Sequence, residues 1–440
     1  MKKAKDNLSC AANFVVMGSA CAAHGQIAKG LLFFAAQVIY VCYMALAGIN
    51  SLIGFATLGT NSQGFVYDEA LKRPVLVAGD NSMLFLLFGI VAIAATVFFI
   101  YLYAINIRLG FRARKSALEG KPLPTFRDDL KTLWNDKYHK ILLTFPFLGL
   151  LLFTVLPLIF MICMAFTNFD RTHQPPGNLF TWVGFDNFKE IFWSNPLKSQ
   201  TFFKILGWTM IWAAAATFTC YFGGMALAML INKKGVRLKK MWRAFFVVTI
   251  AVPQFVSLLL MRQLLNDNGT LNLLLQNWGI IKEPIRFLTS DLARVTVIVV
   301  NFWVGVPYTL LITTGILMNI PADIYESARI DGAGPFLTFR KITMPYMLYV
   351  TAPYLITQTA GNINNFNVIY LLTSGNPTTL DYYQAGKTDL LITWLYKQTV
   401  SWQDYKLASA IGIIIFILIA GMSLLSFNLF ASRSKEEGFQ

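Results

Sequence analysis

At 440 residues the chain is 56% hydrophobic and only 13% charged, with a mean hydropathy of +0.54, which excludes a water-soluble globule. The formal net charge of +15 does not indicate nucleic acid, because the basic residues fall in short blocks beside apolar runs, as orientation in a bilayer requires. Five cysteines without CxxC spacing, three of them inside apolar runs, point to neither a disulfide framework nor a metal site.

Residues 1–30 carry Lys2, Lys3, Lys5 and Lys29, and the apolar patch at 14–17 is too short to span, so this segment reads as a cytoplasmic amphipathic start. Windows of about 20 apolar residues predict about eight transmembrane helices, at 31–55, 83–107, 141–166, 205–231, 244–261, 295–318, 346–372 and 407–430. None of these windows contains Asp, Glu, Lys or Arg. The predicted fold class is therefore an all-α integral membrane protein. Of the 37 Lys and Arg residues, 24 lie in the set of connections that includes both termini and 13 in the alternate set. This asymmetry predicts cytoplasmic termini and a cytoplasmic 319–345 connection.

Among the outer connections, 167–200 is rich in aromatics and turn formers such as Pro175-Pro176-Gly177, and 266–290 resembles a short amphipathic re-entry. Such surfaces suit a docking partner or an interfacial aromatic belt. Pro157, Pro253, Pro307 and Pro353 lie inside predicted spans, where they can kink helices and free backbone carbonyls. Residues 381–388 end like a phosphate-binding loop, but Asp381 stands where its first glycine belongs and no strand precedes it. The sequence thus predicts no nucleotide site, no cofactor and no metal in this chain, and it offers no reactive constellation for a membrane enzyme.

The polar residues of the membrane region concentrate in the sixth and seventh spans. Asn301, Gly305 and Tyr308 are spaced i, i+4, i+7, and Gln358, Asn362 and Asn365 repeat the pattern, so each trio is expected on one helix face. Buried amides and phenols mark either a substrate path or interhelical glue. Uncharged hydrogen-bonding groups beside aromatics would suit a neutral polyol.

Residues 319–345 form a charged island between two apolar runs. Pro321 and Gly332 bracket a short helix, and Pro335 opens a second that Pro345 is expected to end. Asp323 and Glu326 suit a positive helix start, whereas Asp331 sits at the negative end. Ser327 and Ala328 are small enough for a partner surface to come close.

Glu326-Ser327-Ala328, Gly332, and Ile342 with Met344-Pro345 resemble the EAA loop of ABC-importer membrane subunits, with Ser327 for the usual Ala and Met344 for the usual Leu. From about Tyr138 to Phe430 the chain resembles the larger permease subunit of maltose/maltodextrin importers. The stretches that carry this are Asp331-Gly332-Ala333-Gly334-Pro335-Phe336, Asn364-Asn365-Phe366 and Thr388-Asp389-Leu390-Leu391.

The resemblance implies a type I ABC-importer permease fold over 138–432, with the coupling loop at 319–345 and a cytoplasmic tail at 433–440. Residues 1–137 would add a cytoplasmic segment, two extra transmembrane helices and a basic loop. It also implies a multi-pass plasma-membrane subunit that pairs with a second related permease and sits on two ATP-binding subunits. An external binding protein would deliver a maltodextrin to it. Glu326, Ser327, Ala328, Asp331 and Gly332 would couple to the ATPase, and Asn301, Gly305, Tyr308, Asn362 and Asn365 would contact sugar. Gly361 stands where an aromatic sugar contact is expected, and 167–200 is too short for the folded outer domain of Gram-negative members. The latter fits a Gram-positive type with a lipid-anchored binding protein. An ion-coupled secondary transporter of a neutral polar solute is the rival class. It usually needs an intramembrane Asp, Glu or His, and the predicted spans contain none.

Overall fold

The computed structural model describes residues 9, 11–69, 71–120, 123–233, 235–289 and 291–436; Lys2, Lys3, Lys5, Cys10 and the end of the tail from 437 onward lie outside them. The chain divides into two units, Met1–Gly184 and Phe185–Gln440.

In the first unit a short helix α1 (Ser19–Ala23) leads into α2 (Ile27–Thr57). A hairpin of β1 (Gly64–Asp68) and β2 (Arg73–Val77), paired antiparallel from Gly64↔Val77 to Asp68↔Arg73, precedes α3 (Ser82–Leu118). Asn81 caps α3 by accepting from the Met83 and Leu84 amides. Then come α4 (Phe126–Trp134), closed at its start by the Thr125/Asp128 capping box, and α5 (Tyr138–Met164). Small residues draw α2 and α3 together: a Cβ at Gly89 or Gly54 would run into the rings of Phe55 or Phe85. The N-terminal segment is tied in by amides, with Asn106 Oδ1 accepting from the Gly18 N–H at 2.9 Å and Gln37 Oε1 from Met17 N–H at 2.8 Å. Ahead of α3 the Asp80 carboxylate accepts the Asn61 and Thr60 amides, which hold its pKa below the ordinary carboxylate value.

The second unit is built on α6 (Pro196–Asn232), packed against α10 (Ala293–Leu317) and α12 (Met344–Ile363). Between α6 and α10 lie α7 (Lys239–Ala251), α8 (Gln254–Leu264) and α9 (Thr270–Asn277); α11 (Ala322–Ile330) precedes α12, and α13 (Phe366–Thr373), α14 (Leu391–Lys397) and α15 (Tyr405–Glu436) complete the chain. Trp208, Trp212, Leu258, Val297, Val368, Ile369 and Leu372 form one buried core, and Tyr221, Met225, Met347 and Leu355 a second. Gly223 and Gly224 let α10 come close, since a Cβ at Gly224 would meet Thr309 and the Leu310 backbone nitrogen at 2.6–2.8 Å.

Among the described residues six helices are long and apolar enough to cross a membrane: α2, α3, α5, α6, α10 and α15. The pair α7 and α8, bent by 89°, makes a seventh if counted as one span. The predicted span at 244–261 is thus a broken one: Pro253 lacks an N–H for the helix ladder and takes φ −54, ψ 132 between the two pieces. The seventh predicted span, 346–372, is interrupted as well, because α12 stops at Ile363 and Asn365 caps a new helix.

Pro345 does not end a helix as the sequence suggests. A wide π turn at Phe339–Thr343 carries the chain into α12, with the Met344 N–H bonded to the Phe339 carbonyl, and Pro345 sits in the first turn beyond it. The same arrangement recurs in α5, where the π turn Leu151–Val155 precedes Pro157. In both, the shifted hydrogen-bond register lets a helix pass a residue that cannot donate.

Candidate functional site

Asn301 lies on the face of α10 that packs on α6. It is buried, its Nδ2 donates to Cys220 Sγ at 3.4 Å, and its carbonyl accepts from that thiol at 3.6 Å. Gly305, one turn on, makes the crossing possible, since a Cβ there would stand 2.7 Å from Cys220 Sγ. Tyr308 is half exposed, with its ring centroid 6.4 Å from that of Tyr354 on α12.

Asn362 is also buried. Its Nδ2 donates to Thr217 Oγ1 at 2.9 Å, and its backbone carbonyl accepts from Trp212 Nε1 at 3.1 Å, both partners lying on α6. Asn365 does not continue the α12 face predicted by spacing, because the helix has already ended. Its Oδ1 instead accepts from the Val368 amide at 3.2 Å, and its Nδ2 donates to Asn362 Oδ1 at 3.3 Å. Asn362 and Asn365 are therefore brought together by a helix break, while Asn301 bonds elsewhere. Thr217, Trp212 and Cys220, which hold these amides, carry no local pattern that singles them out among the residues of a long apolar helix.

The charged island folds as predicted at its centre. Asp323 lies in the first turn of α11, and the helix ends with Gly332 at φ +78, the Ala333 N–H bonded to the Ala328 carbonyl at 2.8 Å and the Gly332 N–H to that of Arg329 at 3.0 Å. These two bonds are the paired closure of a helix by a left-handed glycine. Tyr325 Oη lies 3.0 Å from Thr343 Oγ1 and ties α11 to the π turn. Glu326, Ser327, Asp331 and Gly332 are exposed, whereas Ala328 is turned inward and buried. Ile330 and Phe336, at 86% and 75% exposure, stand out from the same element.

The loop between α13 and α14 is organised by charge. The buried Asp389 accepts from Lys397 Nζ at 2.5 Å, the Gly386 N–H at 2.7 Å and Thr393 Oγ1 at 2.9 Å. Burial pushes its pKa up, and these donors pull against that. Thr388 and Lys387 of the phosphate-loop-like run are engaged by Asn376 and Asp291.

Residues 221–435 match the family model described as the binding-protein-dependent transport system inner membrane component. The galactooligosaccharides transport system permease protein GanP of Bacillus subtilis is 37% identical, over 82% of this chain and 86% of that protein. The maltodextrin transport system permease protein MdxF of the same organism is 32% identical, over 96% of this chain and 95% of that protein. This chain belongs to the permease subunits of binding-protein-dependent ABC importers. A bacterial ABC transporter for the acidic polysaccharide alginate shares the fold, with a TM-score of 0.57 at 22% identity over 69% of this chain and 98% of that one.

As an ABC-importer permease, the protein is a multi-pass membrane subunit of an ATP-driven importer, and the secondary-transporter alternative is not favoured. Helix α11 and the residues that follow it carry the stretch whose sequence resembles an EAA loop.

Proposed function

We propose that this permease imports a neutral oligosaccharide of the maltodextrin class, together with a second related permease, two cytoplasmic ATP-binding subunits and a lipid-anchored external binding protein. The observation that carries the reading is its relation along nearly the whole chain to a maltodextrin permease. The chain itself binds no ATP, has no cofactor and catalyses no reaction; ATP is held by the partner ATPases. Both termini are cytoplasmic. Closure of the ATPases moves the EAA loop through the exposed residues Glu326, Ser327, Asp331 and Gly332, and switches the cavity between inward- and outward-facing states. Ala328 acts from inside, by fixing the loop to its own chain. Asn301, Gly305, Tyr308, Asn362 and Asn365 shape the sugar path within residues 138–432, and residues 1–137 add two helices and a basic cytoplasmic loop.

A second substrate reading is favoured by the higher identity to a galactooligosaccharide permease. The deciding experiment is uptake by the assembled complex in vesicles, with maltotriose and β-1,4-galactotriose as probes. ATP-dependent accumulation of maltotriose over galactotriose is expected. The reverse preference establishes the second reading, and accumulation driven by an ion gradient without ATP would refute both.

A further inference from the structure

Helix α4 has nine residues, far too few to cross a bilayer, and it lies between two helices that are long enough, α3 and α5. At 3.6 residues per turn Phe126, Leu130, Leu133 and Trp134 share an arc of roughly 100° on it, and all four are exposed. Leu130 at 55% and Trp134 at 65% are the most open of them, and the Trp134 ring centroid lies 5.8 Å from that of Tyr138 at the head of α5. Arg127 and Lys131, both exposed, run along one edge of this stripe. The acidic residues of the helix are engaged elsewhere: Asp128 turns back to Thr125 in the capping box, and Asp129, on the other edge, pairs with Lys29. Gln26 Nε2 also donates to the Pro124 carbonyl at 2.7 Å. Lys29 stands two residues before the apolar run at 31–55, and Tyr138 three before the run at 141–166. Both attachments therefore hold α4 at the level where the apolar layer begins.

We infer that α4 lies flat in the membrane interface, with its apolar stripe among the acyl chains and Arg127 and Lys131 on the phosphates of anionic lipids. The inference goes beyond the import reading and needs only that α3 and α5 cross the bilayer; the leaflet is the cytoplasmic one under the topology proposed above. Orientation accounts for the basic residues of this connection, but not for an apolar stripe beside them on a helix that cannot span. Rings and aliphatic chains on one face with cations along its edge are what a helix lying in an interface presents. Residues 108–140 hold nine Lys and Arg against four Asp and Glu, a surplus that complements an anionic surface. A guanidinium takes phosphate oxygens in a fork, and an ammonium takes them as a point charge. Because Thr125 and Lys29 already hold the two acidic side chains of α4, its basic edge is the one left to face the headgroups.

The test uses the assembled complex in vesicles. In a chain whose native cysteines are replaced, Leu130→Cys carries a bimane fluorophore, and nitroxide-labelled phosphatidylglycerol or phosphatidylcholine is titrated into the bilayer as quencher. Both lipids are expected to quench the probe, phosphatidylglycerol at a mole fraction about two- to fivefold lower. Arg127→Gln combined with Lys131→Gln should remove that preference while quenching by phosphatidylcholine persists, and high salt should shrink it in the unsubstituted edge. Equal quenching by the two lipids, or a preference unchanged in the double variant, would overturn the inference. A probe shielded from both lipids would overturn it too, and would assign the stripe to a protein partner. Failure of the import reading looks different, because a complex that transports no sugar would still show the lipid preference.

Discussion

Replacing Gly332 by valine isolates the backbone of the proposed coupling loop from its contacts. A Cβ added at this position meets nothing within 4 Å, so the site has open space beside the backbone. What remains is φ +78, which costs an L residue about 1–2 kcal/mol, and more for a β-branched side chain. Helix α11 has nine residues and is too short to hold its end without that closure. The closed turn should therefore lose about five- to thirtyfold in population relative to its frayed form. The assay is ATP hydrolysis by the reconstituted complex, stimulated by sugar-loaded binding protein and normalised to assembled complex. Stimulation is expected to fall within that range for Gly332→Val, while Gly332→Asn, which tolerates the left-handed region, stays near wild type. Full stimulation in the valine variant, or equal damage from asparagine, would show that the left-handed backbone at Gly332 is not what the loop depends on.

Lys397→Met leaves the buried Asp389 carboxylate unpaired and should cost about 3–5 kcal/mol, visible as a lower melting temperature of the purified complex; adding Asp389→Asn should recover most of it. A double-mutant cycle of Asn362→Ala with Thr217→Val should return about 0.5–1.5 kcal/mol of coupling in stability. No coupling, together with a raised KM for sugar, would assign the amide to substrate instead. Arg237→Cys should react with an impermeant reagent only from the cytoplasmic side and Asn178→Cys only from outside, and reversed labelling would invert the topology. Because the folded-state pKa of Asp80 is depressed by the Asn61 and Thr60 amides, its contribution is present above the ordinary value of roughly 4 and is lost as pH falls through the folded value. Hydrogen exchange at those two amides should accelerate across that window, and Asp80→Asn should flatten the profile.

What could be read in the sequence is what local chemistry determines. The helix stop at Gly332 follows from a glycine in the right place, and most of the spans follow from runs of apolar residues. Pro253 announced a kink, but nothing local sets the size of an 89° bend. Periodicity placed Asn362 and Asn365 on one face because it cannot register that the Asn365 side chain captures the Val368 amide and starts a new helix. Pro345 read as a stop because a widened turn ahead of a proline leaves no mark in composition. The partners of the buried amides lie far away in sequence, Cys220 81 positions from Asn301 and Thr217 145 from Asn362, so the candidate site was visible as a set of residues and not as a bonded arrangement.

The helix α12 begins beside the π turn that Tyr325 grips and ends at the amides around Asn362. With a rise of about 1.5 Å per residue, Met344 and Asn362 stand roughly 27 Å apart along one rod. A tilt of about 5° at the base would sweep the far end through roughly 2 Å, enough to break a hydrogen bond such as that between Asn362 and Thr217. A small displacement at the base of α12 would therefore reach the Asn362–Thr217 hydrogen bond as a make-or-break distance, with the length of α12 as the gear ratio between the two.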